Sequence, residues 1–189
     1  MPAVAIPKRL KLTYSDYALL PADGKRHEIM DGEHYVTPAP NTPHQTIAFN
    51  LAHFVGGHIK KNRLGRFFFA PYDLVLSDFD VVQPDLLYFS HARAAGITRA
   101  NAQQAPDLVI EILSPSTRKL DESAKRKLYE RAGVAEYWIV DPELESVKVF
   151  RAGVEGFTTP VELSTEEGHA LTTPLLPSLA VPLAEIFED

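Results

Sequence analysis

The stretch that decides the fold begins Asp107-Leu108-Val109-Ile110-Glu111-Ile112-Leu113. It continues through a helical segment over roughly 118–132 and ends Glu136-Tyr137-Trp138-Ile139-Val140, closed by Asp141-Pro142. The first run is almost continuously apolar, the pattern of a strand covered on both faces. Gly133 stops the helix, and the second apolar run follows at once. Strand, helix and strand with short loops make a βαβ unit, so the two strands are predicted to be parallel neighbours in one sheet.

Upstream, Thr13–Leu20 reads as a short helix with a hydroxyl cap, ended by Pro21 and Gly24. Residues 26–37 read as a hairpin turning at Asp31-Gly32, the strongest short turn signal. Ile47, Leu51, Phe54, Val55 and Ile59 recur at helical spacing, which predicts a helix over Thr42–Asn62 closed by Gly65. Strands are predicted at 66–70, 73–77 and 85–89, with Ser77–Asp80 as a turn. Downstream, Ser146–Phe150 and Phe157–Leu163 read as a hairpin or meander, and the proline-rich 174–182 as irregular. No repeat or linker divides the chain. The expectation is one α/β domain over residues 1–189: a mixed sheet flanked by helices, with an N-terminal hairpin and a C-terminal β-meander.

At 189 residues the chain is long enough for one substantial core. It has no cysteine, which excludes disulfide scaffolds, thiolate zinc sites and cysteine nucleophiles together. No apolar run approaches the ~18 residues of a membrane span. Its first residues place apolar side chains ahead of basic ones, the reverse of a signal peptide, so a cytoplasmic protein is expected. Net charge is −6, but residues 141–189 carry 10 acids against Lys148 and Arg151, which leaves residues 1–140 at +2. Two basic clusters lie in that part, Lys60-Lys61-Arg63-Arg66 and Arg118-Lys119-Lys125-Arg126-Lys127-Arg131. They permit a phosphate-contacting face without demanding one.

Glu111 is the residue out of place. An ionised carboxylate in a doubly covered strand costs several kcal/mol, of the order of ~3–5, unless a cation, a metal or strong donors meet it. A strand end reaching solvent, or a structural ion pair, is the plainer explanation. If Glu111 binds a metal it needs a partner acid. Asp107 lies on the same strand face but ~13 Å away along it, too far to share one ion, and reads as a strand-ending acceptor of backbone N–H groups. Asp85, opening another strand after Pro84, is the better partner.

The following helix supplies a cation. With Leu120 at 0° and about 100° per residue, Asp121 falls near ~100°, Lys125 near ~140° and Tyr129 near ~180°, while Lys127 falls near ~340°. Lys125 therefore lies in the apolar arc, although an exposed i,i+4 pair with Asp121 fits the same spacing. Two carboxylates and a lysine at one point suit metal-assisted phosphodiester hydrolysis, since Mg²⁺ is held by one or two carboxylates plus water and phosphate oxygens.

Gln83-Pro84-Asp85-Leu86, the run from Ala105 to Thr117, Asp121 with Lys125 and Tyr129, and the run from Gly133 to Pro142 together resemble the Uma-type restriction endonucleases of the PD-(D/E)XK nuclease superfamily. The likeness reaches upstream to His27–Glu33 and His44 and covers roughly residues 12–185. It implies a restriction-endonuclease-like core acting on DNA. It also implies Asp85 and Glu111 as ligands of Mg²⁺, or of Mn²⁺ in its place, together with the main-chain carbonyl of Ile112, and a homodimer. One departure stands out: the superfamily places a lysine two residues after the acid, and here that residue is Leu113. The resemblance then assigns the lysine to Lys125, with Lys127 as the fallback. Glu28, His44 and Tyr129 are further cleft candidates: Glu28 reads as a ligand, a base or an exposed strand residue, and His44 as a cap as readily as a catalytic group. Besides a nuclease, the sequence allows a non-catalytic binding module on the same fold, or a phosphodiesterase of RNA or a small nucleotide.

Overall fold

The computed structural model describes residues 10–188. Thr13 caps the short helix α1 (Tyr14–Tyr17): its hydroxyl accepts from Asp16 N–H, and its own N–H donates to the Asp16 carboxylate. β1 (Arg26–Met30) and β2 (Glu33–Thr37) form the hairpin, and Asp31 and Gly32 take φ of 50° and 74° at its turn. Left-handed φ at both turn positions is what Asp-Gly accommodates at least cost.

The helix α2 runs over 42–62, capped by Asn41, whose side chain accepts from His44 N–H. Five of its residues, Ala52–Gly56, are wound as a wider π turn. It ends on Arg63 in the left-handed conformation, φ 54°, and not at Gly65 as expected. Gly65 instead opens the next strand with φ 153°, where an added Cβ would lie 2.0 Å from the Phe89 carbonyl oxygen. Glycine is needed there for close strand approach, not for helix ending.

β3 (Gly65–Phe69), β4 (Leu74–Ser77), β5 (Asp80–Val82) and β6 (Leu86–Ser90) follow. β5 was not anticipated: three residues directly after a strong turn signal give too short a pattern to read. It joins a small sheet in the order β2-β1-β5-β4. β7 (Leu108–Ile112), the helix α3 over 118–131 and β8 (Glu136–Asp141) form the expected unit, with β7 and β8 parallel and every residue of both buried. α3 also contains a π turn, Asp121–Lys125.

The large sheet has the order β10-β9-β8-β7-β6-β3, built with β9 (Ser146–Gly153) and β10 (Gly156–Phe157), and β11 (Val161–Ser164) pairs with β9 as the expected meander. The proline-rich stretch is irregular as expected over 174–180, and only its last two residues, 181–182, form a strand. β12 (Ala170–Leu171) pairs with β13 (Val181–Pro182), and a last helix, α4 (Leu183–Phe187), buries Leu183 and Ile186. Strand alternation sends Leu108, Ile110 and Ile112 to one face, against α2 and α4, and Val109 and Leu113 to the other, against α3. Glu111 belongs by alternation to the α3 face. Among the described residues no helix is long and apolar enough to cross a membrane.

Candidate active site

Four elements meet at the end of β7. The antiparallel register of β6 and β7 pairs Leu86 with Ile110, so one step further along come Asp85 and Glu111. Residues opposite each other in this way have Cβ atoms about 5 Å apart. The Asp85 carboxylate closes the join by accepting from Ile112 N–H at 2.9 Å. Asp107 lies at the other end of β7, where it accepts from Ser90 N–H and pairs with Arg93.

Glu111 is 2% exposed and its Oε1 accepts two bonds, from Lys125 Nζ at 3.0 Å and Tyr129 OH at 2.7 Å. Both donors come from the inward face of α3. Lys125 is also 2% exposed and touches three acids: beside Glu111, it stands 3.2 Å from Glu28 Oε1 and 3.5 Å from Asp121 Oδ1. The exposed i,i+4 pair allowed by the sequence is thus a buried one. Lys127, the fallback lysine, is exposed. Glu28 is fully buried on β1, where its Oε1 also accepts from Gln83 N–H, which removes the exposed-strand alternative.

Asp85 is ringed by donors. Arg26 meets its Oδ1 at 2.9 Å, and His44 Nε2 meets its Oδ2 at 3.1 Å. His44 therefore reaches into the site while its N–H serves the Asn41 cap, so capping and a place in the cleft coexist. Arg26 was not anticipated. Its signal was present: it shares a strand face with Glu28, two residues on. Asp121, which the sequence offers as a partner of Lys125 and a position of the motif, joins the buried acids.

The cluster holds four buried carboxylates, Glu28, Asp85, Glu111 and Asp121, against two permanent cations, Arg26 and Lys125. Fully ionised, it carries an excess of two negative charges. Burial pushes the Glu111 carboxyl up to about 8; Lys125 opposes this, and the charges of Asp121, Asp85 and Glu28 add to it. Burial likewise raises Asp121 to about 6 against the pull of Lys125. Asp85 behaves oppositely: burial raises it, but His44, Arg26 and the Ile112 N–H together hold it well below the ordinary carboxylate range. Lys125 is lowered by burial, yet the acids around it carry it well above its usual value.

A buried acid in a strand is not by itself a site. Glu136, in the neighbouring strand, is 2% exposed, but Trp138 Nε1, Arg151 Nε and Thr173 Oγ1 all donate to it. The cluster around Glu111 differs in being short of donors. Among the described residues five buried side-chain polar atoms lack a hydrogen-bond partner: three are Glu28 Oε2, His44 Nδ1 and Asp121 Oδ1, the last with only its 3.5 Å ion pair to Lys125, and a fourth, Thr37 Oγ1, belongs to a residue lining the same cleft. Such atoms cost about 1–3 kcal/mol each unless something supplies the missing partner.

Among the described residues no three His, Asp or Glu side chains are grouped so as to hold a metal ion. The donor set fits a cation that asks for less. Three donors occupy Asp85, which leaves about one of its four lone-pair sites. Glu111 uses only Oε1 for the bonds described. Two hard oxygens beside open space match Mg²⁺, which keeps several waters, and do not match Zn²⁺, which takes four protein-rich N or S positions. The cleft outside them is walled by the 114–117 loop, Pro38–Asn41 and Arg26.

A family model described as "Uma2: Putative restriction endonuclease" matches residues 14–184. Among solved structures, the chain is similar to one described as a "putative nuclease belonging to DUF820" from Anabaena variabilis, at 21% identity and a TM-score of 0.79, over 93% of this chain and 97% of that one. No curated protein matches the chain. The structural likeness bears on the fold: a mixed sheet flanked by helices, as the sequence implies.

Proposed function

The chain belongs to the Uma2 family, whose description is "Putative restriction endonuclease", and on that premise we propose that it is a divalent-metal-dependent endonuclease that hydrolyses phosphodiester bonds in DNA. The observation that carries the reading is four buried carboxyl groups set against two permanent cations at the end of β7, beside a cleft lined by unpartnered polar atoms. Asp85 and Glu111, with the Ile112 carbonyl, would hold Mg²⁺ or Mn²⁺. When bound, the ion supplies charge neutralisation at the scissile phosphate and lowers the pKa of an attacking water.

The protein's own groups do the rest. Lys125 is fixed by three acids, so its ammonium keeps one orientation and sets a permanent positive charge beside the place where negative charge would develop on the phosphate. Tyr129 holds Glu111 Oε1 and thereby directs Oε2. His44 and Arg26 hold the Asp85 carboxylate in place and keep it ionised. Cutting both strands of a duplex would take two such clefts, the homodimer that the resemblance implies.

A non-catalytic module on this fold is the second reading, and one observation favours it: Arg26 and His44 already compensate Asp85. Incubation of supercoiled plasmid and single-stranded DNA with Mn²⁺ separates the two. Wild type is expected to cut while Glu111→Gln, of the same shape without the charge, does not. No cutting by folded, Mn²⁺-loaded wild type supports the second reading.

A further inference from the structure

A groove leads from the acid cluster along the seam between α2 and β3. Three hollows overlap to form it. The cleft shares Arg26, His44 and Asp85 with the next, which shares Ala52 and Phe69 with a third. One wall is a stripe of five residues at four-residue spacing along α2: His44, Ala48, Ala52, Gly56, Lys60. Sixteen residues at the helical rise make it about 24 Å long, or about seven nucleotides at the stacked spacing of ~3.4 Å. Its middle positions are small, and at Gly56 an added Cβ would come 2.9 Å from the Phe67 ring. The opposite wall is β3. Phe69 pairs with Leu86, next to Asp85, and Arg66 lies at the far end, opposite Phe89.

Two aromatic rings stand open on this groove. Phe49 is 71% exposed and Phe69 66% exposed. Single exposed apolar residues are common, but two phenylalanines lining one hollow beside a charged cleft are a different arrangement. At the far end, Lys60, Arg63 and Arg66 line the third hollow, all exposed. None of them forms an ion pair with another described residue, whereas Arg118, Arg131 and Arg151 do. Glu185 and Glu188 line a further hollow, which shares Gln45 and Phe49 with the middle one.

We propose that this groove is a track for an unpaired DNA strand, with bases stacked on Phe49 and Phe69 and phosphates on Lys60, Arg63 and Arg66, leading a phosphodiester to the acid cluster. The delivery step rests on the nuclease reading; the binding step does not. An unpaired strand fits where a duplex does not, because only unpaired bases offer their faces to a protein ring. The free cations at the end remote from the acids suit a polyanion. A strand held there keeps its phosphates off the acids until one reaches Lys125.

The test is fluorescence anisotropy of a labelled oligothymidylate spanning the groove, in EDTA, beside a blunt duplex of the same length. Wild type is expected to bind the single strand more tightly than the duplex. Phe49→Ala with Phe69→Ala should weaken binding about tenfold or more, since base–ring stacking carries that much. Lys60→Ala, Arg63→Ala and Arg66→Ala combined should lower the salt slope by about two, at about 0.7 per phosphate. All five side chains are exposed, so folding is retained, and an unchanged melting temperature verifies it. Gly57→Leu is a gain-of-bulk control: Gly57 lines the groove and an added Cβ would meet nothing within 4 Å, so the variant folds and should also bind more weakly. Wild-type affinity in these variants, or equal affinity for duplex, overturns the proposal. If Mn²⁺-dependent cutting persists alongside such a result, the track falls and the nuclease reading stands. If binding depends on the two phenylalanines while wild type cuts nothing, the track stands and the nuclease reading falls.

Discussion

Lys125 Nζ lies 3.0 Å from Glu111 Oε1, although fourteen positions of chain separate them. The strand position two after Glu111 is filled by Leu113, which is 3% exposed and packs into the core on the α3 face. An ammonium from the next helix therefore reaches the carboxylate that the strand itself leaves without one. The π turn Asp121–Lys125 brings an acid and the lysine inward together, and wider turns of this kind are common where a helix serves a site.

Removing that ammonium exposes how the cluster is balanced. Lys125→Met keeps the apolar stem and leaves Glu111, Glu28 and Asp121 facing one another. The expected cost is about 3–5 kcal/mol, the range for breaking a buried pair. Urea unfolding checks it, and a cost under about 1 kcal/mol would mean the lysine is exposed in solution.

The raised Glu111 carboxyl fixes the sign of a pH effect in chelator. Folded protein keeps its proton up to about 8, whereas the ordinary value is 4.5, so the folded state binds more protons between those limits. Stability is then full below the lower value and falls as pH rises, by at most ~1.4 kcal/mol per pH unit for this group. Asp121, raised to about 6, adds to the fall at the acid end of that window. Urea midpoints across pH 5–8.5 should decline for wild type and decline less for Glu111→Gln. Equal slopes would contradict the assignment.

At the fold level, Gly65→Ala is expected to be severe. Its Cβ would lie 2.0 Å from the Phe89 carbonyl oxygen, backbone that cannot turn aside, and φ is 153°. A loss of more than about 2 kcal/mol in urea unfolding is expected, whereas Gly24→Ala, with nothing within 4 Å of the added Cβ, should lose less.

The βαβ unit, the hairpin and the long helix were legible because each repeats one period over many residues. β5 and the β12–β13 pair were not, because two or three residues hold no period. Within the cluster, Asp85, Glu111 and Lys125 were singled out by an acid interrupting an apolar strand, by the Pro-Asp that opens its neighbour, and by a lysine in an apolar arc. The structure brings all three together, with Tyr129 on Glu111 and His44 on Asp85. Arg26 escaped notice because a basic residue on a half-buried strand looks like any solvated charge. What joins it to Asp85 is the packing of one sheet on another, 59 positions apart in the chain. Gly65 was misread because glycine marks a helix end and a close strand approach alike.

The central claim is that the surplus of buried carboxylate is balanced by a divalent cation between Asp85 and Glu111. Mn²⁺ titration by calorimetry at pH 8, run in two buffers of different ionisation heat, tests it on wild type and Asp85→Ala. The account predicts saturable Mn²⁺ binding with proton release in wild type and loss of that binding in the variant. Equal Mn²⁺ affinity in the two proteins, or no binding by folded wild type, would contradict it.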